Sequence, residues 1–301
     1  PSISYLAKVI ADEGIETIIT TGPPHSLHLI GLGLKKKYNI DWIADFRDPW
    51  TSIGYHKKLR LAEYARLKHK ALEKGVLLRA DKIVVTSNTT KTEFEAITPK
   101  PIKVITNGFD DDLPTVKLDS KFTISHIGSL LTGRNPLGFW QALQELISEN
   151  HAFKNAIKIQ LAGVVGEEVL QSIKDYGLTD YVKQLGYLSH DRVLEIQQKS
   201  QLLLLLEIDS EETKGIIPGK LFEYLNAKRP ILAIGPKGWE AGAMVEQHKA
   251  GNTCLHDNIP ALKNVLLEAF HHYEKGTLVC NSEGVKQYHR KALTESLAKF
   301  I

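Results

Sequence analysis

Lys220 and Glu223 stand three residues apart in a segment, residues 216–225, that reads Ile-Ile-Pro-Gly-Lys-Leu-Phe-Glu-Tyr-Leu. An all-apolar run at 202–206 precedes it and a second apolar run at 231–234 follows. Both flanks have the continuous hydrophobicity of strands buried on two faces. Pro218 can open a helix without wasting a backbone donor, and Gly219 allows close backbone approach. Leu221, Phe222 and Leu225 then share one helical face, with the two charges turned away from it. A strand end leading into a helix N-terminus offers free N–H groups and the positive end of the helix dipole to an anion. A carboxylate one turn further in can accept hydrogen bonds from ribose hydroxyls. The pair therefore reads either as chemistry for a nucleoside diphosphate or as an exposed i,i+3 ion pair on a solvated helix.

A second constellation is Asp45, Arg47 and Asp48, ahead of Pro49-Trp50. Three charges within four positions at a strand's carboxyl end are costly to bury unless paired or in use. They read either as an internal Arg47–carboxylate pair that fixes a loop or as a set that recognises substrate hydroxyls. His25 and His28 follow a Pro-Pro turn; a lone histidine is more often structural, and His25 is kept as the candidate of the two. A helix over 57–79 carries Lys57, Lys58, Arg60, Arg66, Lys68, Lys70 and Lys74, with Leu61, Ala65, Leu72 and Val76 opposite. Glu63 and Glu73 dilute its charge. The helix reads as a solvated face or as one that lies on an anionic membrane.

The elements that must position these groups alternate. Strands are expected at 15–20, 42–46, 83–86 and 102–106, with helices at 3–11, 27–37 (capped by Ser26), 57–79 and 89–97. Turn residues and charges at 107–114 break the pattern and place a domain boundary between 112 and 113. A second series follows, with strands at 122–127, 157–162, 182–186, 202–206 and 231–234. Its helices lie at 136–150 (capped by Asn135), 167–176, 191–199, 241–248, 261–273 and 283–300. The fold class is α/β: two Rossmann-like doubly wound parallel-sheet domains, with ligand bound in a crevice at the strand carboxyl ends.

The chain of 301 residues is 43% hydrophobic with net charge +3, an ordinary balance that gives no argument for nucleic acid. Cys254 and Cys280 are the only cysteines and no metal-ligand spacing occurs, so no metal site is expected, and the compartment reads as reducing. No apolar stretch approaches a membrane span and no signal pattern opens the chain.

Several stretches together resemble the GT-B glycosyltransferases, in particular family 4. Val104-Ile105-Thr106-Asn107-Gly108-Phe109-Asp110 looks like the family's interdomain strand and turn. Ile127-Gly128-Ser129 with Arg134-Asn135 resembles its glycine loop and basic diphosphate contact, and Leu185-Gly186-Tyr187-Leu188 the segment that meets the base. Residues 220–231 resemble its donor-site helix and following strand. The resemblance implies a retaining transfer from a nucleotide-diphosphate sugar to a hydroxyl, in cell-surface polysaccharide or glycolipid synthesis, with no cofactor beyond the sugar nucleotide.

Arg134, Lys220 and Asp48 are then the expected catalytic groups. Donor contacts fall to Gly128, Ser129, Arg134, Tyr187, Leu188, Gly215, Ile216, Ile217, Lys220 and Glu223, and acceptor contacts to His25, Asp45, Arg47 and Asp48. Gly215 stands where the family often has a first glutamate, so Glu211, Glu212, Lys214 or the amides of 215–217 are left to hold the sugar. The expected domains are 1–112 for the acceptor side and 113–282 for the nucleotide sugar, with 283–301 packing back on the first. Family members begin with about two further βα units, so the N-terminal domain is expected to be incomplete. A cytoplasmic protein with a saccharide or lipid-linked acceptor, peripheral at the membrane, is implied. A scaffold that binds a sugar nucleotide without chemistry and a GT-B epimerase are the alternatives.

Overall fold

The computed structural model describes residues 2–54, 56, 59–110, 113 and 116–301. The predicted helix starts Lys57 and Lys58, and the predicted boundary residue Asp112, lie outside them. The chain divides into two units, one formed by residues 1–107 with 290–301 and the other by 108–289.

In the first unit, β1 (Thr17–Gly22), β2 (Asp41–Phe46), β3 (Lys82–Val85) and β4 (Ile102–Val104) form a parallel sheet in sequential order. The helices are α1 (Ser2–Glu13), α2 (Ser26–Lys35), α3 (Glu63–Arg79) and α4 (Asn88–Glu95). Strand alternation divides the core. Trp42, Ala44, Phe46, Ile83 and Val85 pack against Val76, Leu77 and Phe94, while Ile43 and Val84 face the other way. On that second face lie Leu293, Leu297 and Phe300, brought by a terminal helix, Arg290–Ala298.

The second unit contains β5 (Phe122–Ile127), α5 (Leu137–Glu149), α6 (His151–Ala156), β6 (Ile157–Ala162), α7 (Glu167–Asp175), β7 (Val182–Gly186), α8 (His190–Lys199) and β8 (Leu202–Leu206). It continues with α9 (Lys220–Ala227), β9 (Ile231–Ile234), α10 (Glu240–Gln247), β10 (Gly251–Cys254) and α11 (Ile259–Glu274), so the terminal helix is α12. Its six parallel strands run β10-β9-β8-β5-β6-β7, the doubly wound order whose direction of winding reverses between β5 and β8. The five leucines of β8 explain themselves in this setting. Leu202, Leu204 and Leu206 enter the core under α5 and α11, and Leu203 and Leu205 enter the core under α9 and α10.

Several local expectations are corrected. The helix expected over 283–300 is α12 alone, preceded by a 3-10 turn at Val285–Tyr288. That turn belongs to the second unit because Phe109 donates to Tyr288 O at 3.1 Å. Ser26 is the first residue of α2, whose N-cap position is His25, and it makes no cap bond. Asn135 does not cap α5; its amide is drawn into contacts with Trp140 Nε1 at 2.8 Å and Ser172 Oγ at 2.9 Å. Glu73 does not dilute a surface charge on α3. It is buried and accepts from the Trp50 and Thr51 amides, both at 3.1 Å, and from Thr51 Oγ1 at 2.5 Å.

Candidate functional site

The carboxyl ends of β5 and β8, where the winding reverses, carry the most organised cluster of charges in the second unit. Tyr224 and Lys220 lie one turn apart on α9 and grip one residue of β5. The Tyr224 hydroxyl accepts from Ile127 N at 3.0 Å, and Lys220 Nζ donates to Ile127 O at 2.9 Å. With both polar groups of Ile127 held, the chain turns at Gly128, whose φ of +110° favours glycine. A Cβ there would stand 3.5 Å from Lys220 Nζ.

His126, fully buried on β5, completes the seat of the lysine. Its Nδ1 faces Leu204 O at 3.0 Å and so carries the proton, which leaves Nε2 to face Lys220 Nζ at 3.4 Å. Burial, then the adjacent ammonium, holds His126 well below its ordinary pKa, and it stays neutral. Lys220 itself is lowered to about 7, first by burial and next by the charge of Arg134, with Glu207 pulling it back up.

Arg134 lies in a 3-10 turn, Thr132–Arg134, after the glycine loop. Its Nε and Nη2 reach the two oxygens of Glu207 at 3.0 and 3.1 Å in a bidentate pair. Glu207 follows β8 directly and its side chain is fully buried. Its Oε1 also accepts from Ile208 N at 2.9 Å. The expected diphosphate contact is thus a preset cation, with one guanidinium edge tied to a buried carboxylate. Two cations share one such carboxylate, so the cluster keeps a surplus of positive charge beside Gly128.

Glu223 is half-buried on α9 and accepts from Gln197 Nε2 at 2.8 Å; Gln197, on α8, is fully buried. The ion pair that spacing allows between Lys220 and Glu223 does not form, since Lys220 turns to β5 and Glu223 to α8. In the loop before α9, Ile216 N donates to Thr213 O at 3.0 Å and its carbonyl receives Trp239 Nε1 at 2.7 Å, so its amide is spent within the turn. Gly215 and Ile217 flank it, partly exposed. Ser129 is exposed, Tyr187 is almost wholly so at 94%, and Leu188 packs on the core under α9.

The acceptor-side candidates gather at the carboxyl ends of β1 and β2 in the first unit. Arg47 donates to Asn107 Oδ1 at 2.7 Å and Ile105 O at 3.3 Å, and its Nη1 stands 3.7 Å from Asp45 Oδ1. This is the loop-fixing arrangement. Burial raises the pKa of Asp45 and Asp48, with Arg47 opposing. His25 is stacked between Trp50 and Phe46, at ring distances of 5.3 and 5.8 Å, and neither of its nitrogens has a partner among the described residues. His28 bonds Thr20 Oγ1 at 2.8 Å through Nδ1, while its Nε2 is buried and has no partner among the described residues. Desolvation lowers His25 to about 4 and His28 to about 3.

Residue types alone did not single out His126, Glu207, Gln197 or Tyr224. A signal existed for two of them: a histidine inside the buried strand Phe122–Ile127 and a carboxylate after five leucines are each expensive unless they hold something.

Residues 1–113 match the model for Glycosyltransferase Family 4. A search of the curated proteins gives no match. Among solved structures, the chain is similar to sucrose-phosphate synthase from Thermosynechococcus elongatus (14% identity, TM-score 0.69, 99% of this chain and 76% of that one). It is also similar to Anabaena HepE, solved with UDP-glucose (15%, TM-score 0.70, 99% and 81%). A putative UDP-N-acetylglucosamine 2-epimerase from Listeria monocytogenes is a further match (14%, TM-score 0.59, 99% and 77%). The fold is GT-B, and the chain resembles the family 4 glycosyltransferases in its motifs and in the family match of its first unit.

Proposed function

We propose that this GT-B chain is a retaining glycosyltransferase that moves a sugar from a nucleotide-diphosphate donor to an acceptor hydroxyl in cell-surface polysaccharide or glycolipid synthesis. The observation that carries this reading is the cationic seat at β5 and β8, with Lys220 and Arg134 beside Gly128 and Glu223 one turn further along α9. As the glycosidic bond breaks, negative charge grows on the departing diphosphate, and preset donors stabilise that charge without reorganising. In this reading Glu223 accepts from ribose hydroxyls, with Tyr187 and Leu188 at the base. Gly128, Ser129 and the backbone of Gly215, Ile216 and Ile217 border the phosphates and sugar, with Ile216 contributing shape rather than its amide. With retention, the leaving phosphate itself takes the acceptor proton, and the protein supplies orientation and charge. Asp48, Asp45, Arg47 and His25 are the acceptor-side groups.

Among the described residues no helix is long and apolar enough to cross a membrane. For a lipid-linked acceptor reached from the cytoplasm, α3 supplies a surface. Tyr64 and Leu67 are 77% and 56% exposed, Ala71 and Leu78 continue the stripe, and Arg66, Lys68, Lys70 and Lys74 flank it in solvent.

A thermal-shift screen of UDP-, GDP- and ADP-sugars tests the donor assignment, because a ligand bound only by the folded form raises the melting temperature. One nucleotide class is expected to shift wild type and to lose that shift in Glu223→Ala; an equal shift in the variant removes Glu223 from the site. Gly215 in place of a sugar-contacting glutamate favours a non-catalytic binder as the second reading. Nucleotide release with acceptor present separates the two, and a changed sugar still attached to its nucleotide would instead identify an epimerase.

A further inference from the structure

A second concave site lies in the nucleotide-sugar unit, away from the cationic seat. On the face of the sheet beneath α8, strands β6 and β7 are open and polar where a parallel sheet is ordinarily covered by apolar contact. Lys158 and Gln160 alternate with Ile157, Ile159 and Leu161, which fill the core on the opposite face. Gln160 pairs in register with Lys183 of β7. The outer side of α8 forms the facing wall with Arg192 and Lys199, and the groove between them encloses about 290 Å³. That volume is at the small end for ligand pockets, roughly 300 Å³.

The charges are unevenly spent. Arg192 and Lys199 share the carboxylate of Glu195. Lys158 and Lys183 have no ion-pair partner among the described residues. Asp119 projects into the same groove, its Oδ2 accepting from Gln160 Nε2 at 3.2 Å. Its backbone is fixed by Lys199 O, which accepts from Asp119 N at 2.9 Å, and by Gln201 Nε2, which donates to Asp119 O at 2.8 Å. Four cations thus face two carboxylates, with one of these held where it can accept from a hydroxyl. Leu185, Leu188 and Ile196 give the groove its aliphatic lining, and Leu188 brings one end of it up to the segment proposed to meet the base.

We propose that this groove binds a phosphorylated polyhydroxy compound, its phosphate on Lys158, Lys183 and Arg192 and a hydroxyl on Asp119. Two ammonium groups without ion-pair partners among the described residues, beside a guanidinium that Glu195 engages at Nη1, form a phosphate-recognising set. The phosphate would lie apart from the donor's. Lys158 is four residues, ~13 Å of strand, before Ala162, whose carbonyl receives Gly128 N at 2.7 Å. The same chemistry is presented by a free sugar phosphate and by a phosphoinositide headgroup.

Calorimetric titration of wild type with glucose 6-phosphate is expected to show binding that Lys158→Gln/Lys183→Gln weakens about tenfold or more. Lys158→Arg/Lys183→Arg is expected to restore it. Flotation with phosphatidylcholine vesicles, with and without phosphatidylinositol 4-phosphate, distinguishes the lipid source, and binding confined to the phosphoinositide vesicles and lost in the Gln pair would assign the headgroup. No binding to either probe, or equal binding by wild type and the Gln pair, overturns the proposal. UDP affinity, measured on the same Gln pair, is expected to be unchanged, and it reports separately on the donor reading.

Discussion

The strand ends of the two units solve the burial of polar groups in opposite ways. In the second unit each charge of the cluster has a partner: Arg134 on Glu207, Lys220 on Ile127 O and His126, His126 on Leu204 O. At the strand ends of the first unit several buried polar atoms go without: among the described residues, His25 Nδ1, His25 Nε2, His28 Nε2 and Asp45 Oδ1 form no hydrogen bond, where the second unit's site leaves Gln197 Oε1. A site that must stabilise charge has to be set before the charge arrives, since donors that first reorganise give back much of what they contribute. A site that must accept neutral hydroxyls needs spare hydrogen-bonding capacity and no net field. The contrast therefore separates a diphosphate seat from a hydroxyl-binding wall, and it can be broken at either side.

The largest effect is expected from the buried carboxylate. Glu207→Ala leaves Arg134 without its fork partner and places Lys220 beside an uncompensated guanidinium, so folding stability is expected to fall by about 1–3 kcal/mol, held down by the partial exposure of Arg134. Arg134→Ala tests the other half of the pair and should lower turnover by ~100-fold or more if the guanidinium meets the leaving group. Denaturant unfolding and steady-state kinetics read the two effects. An Arg134→Ala enzyme with wild-type turnover would reduce the pair to a structural staple.

The first unit should reveal itself through acid, on top of a loss of the same sign from the buried His126 of the second. His25 and His28 sit at about 4 and 3 in the folded protein and near 6.5 when unfolded, so the unfolded chain binds protons first. Their contribution is complete above pH ~6.5 and declines as pH falls toward the folded values, by up to about 1.4 kcal/mol per unit for each ring. Asp45 and Asp48 are shifted upward and oppose this trend at the lower end of the range, once carboxyls begin to titrate. Melting curves between pH 7 and 5 should show a destabilisation that His28→Gln reduces. Parallel pH profiles for wild type and variant would mean that the rings are not held neutral.

How far these sites could be read without coordinates follows from the range of the interactions. The alternation of strands and helices, and the approximate places of Lys220, Glu223 and Arg134, are written in local pattern. What Lys220 touches is not, because His126 and Ile127 lie more than ninety residues away and meet it only once α9 packs on β5. Glu207 reads as a charge after an apolar run, but its bond to Arg134 spans 73 residues. Strand β10 was missed for a related reason: Gly251-Asn252-Thr253-Cys254 has little strand character, and its pairing with β9 imposes the extended form. Asn135 shows a good capping residue overruled by a buried indole that needed an acceptor.

The smallest predicted effect is also the most specific to the comparison. Lys220 is half protonated near pH 7 in the free protein, since its pKa lies at about 7, and a diphosphate beside it favours the ammonium. Binding should then take up a proton above pH 7, so UDP affinity should fall as pH rises from 7 to 8.5, by no more than tenfold per unit. Lys220→Arg, charged throughout, should flatten that slope even if its absolute affinity is lower. Calorimetry in buffers of different ionisation enthalpy measures the proton uptake directly. A slope of zero in wild type would mean that Lys220 is already fully charged before the anion arrives, and the seat would then be preset in charge as well as in geometry.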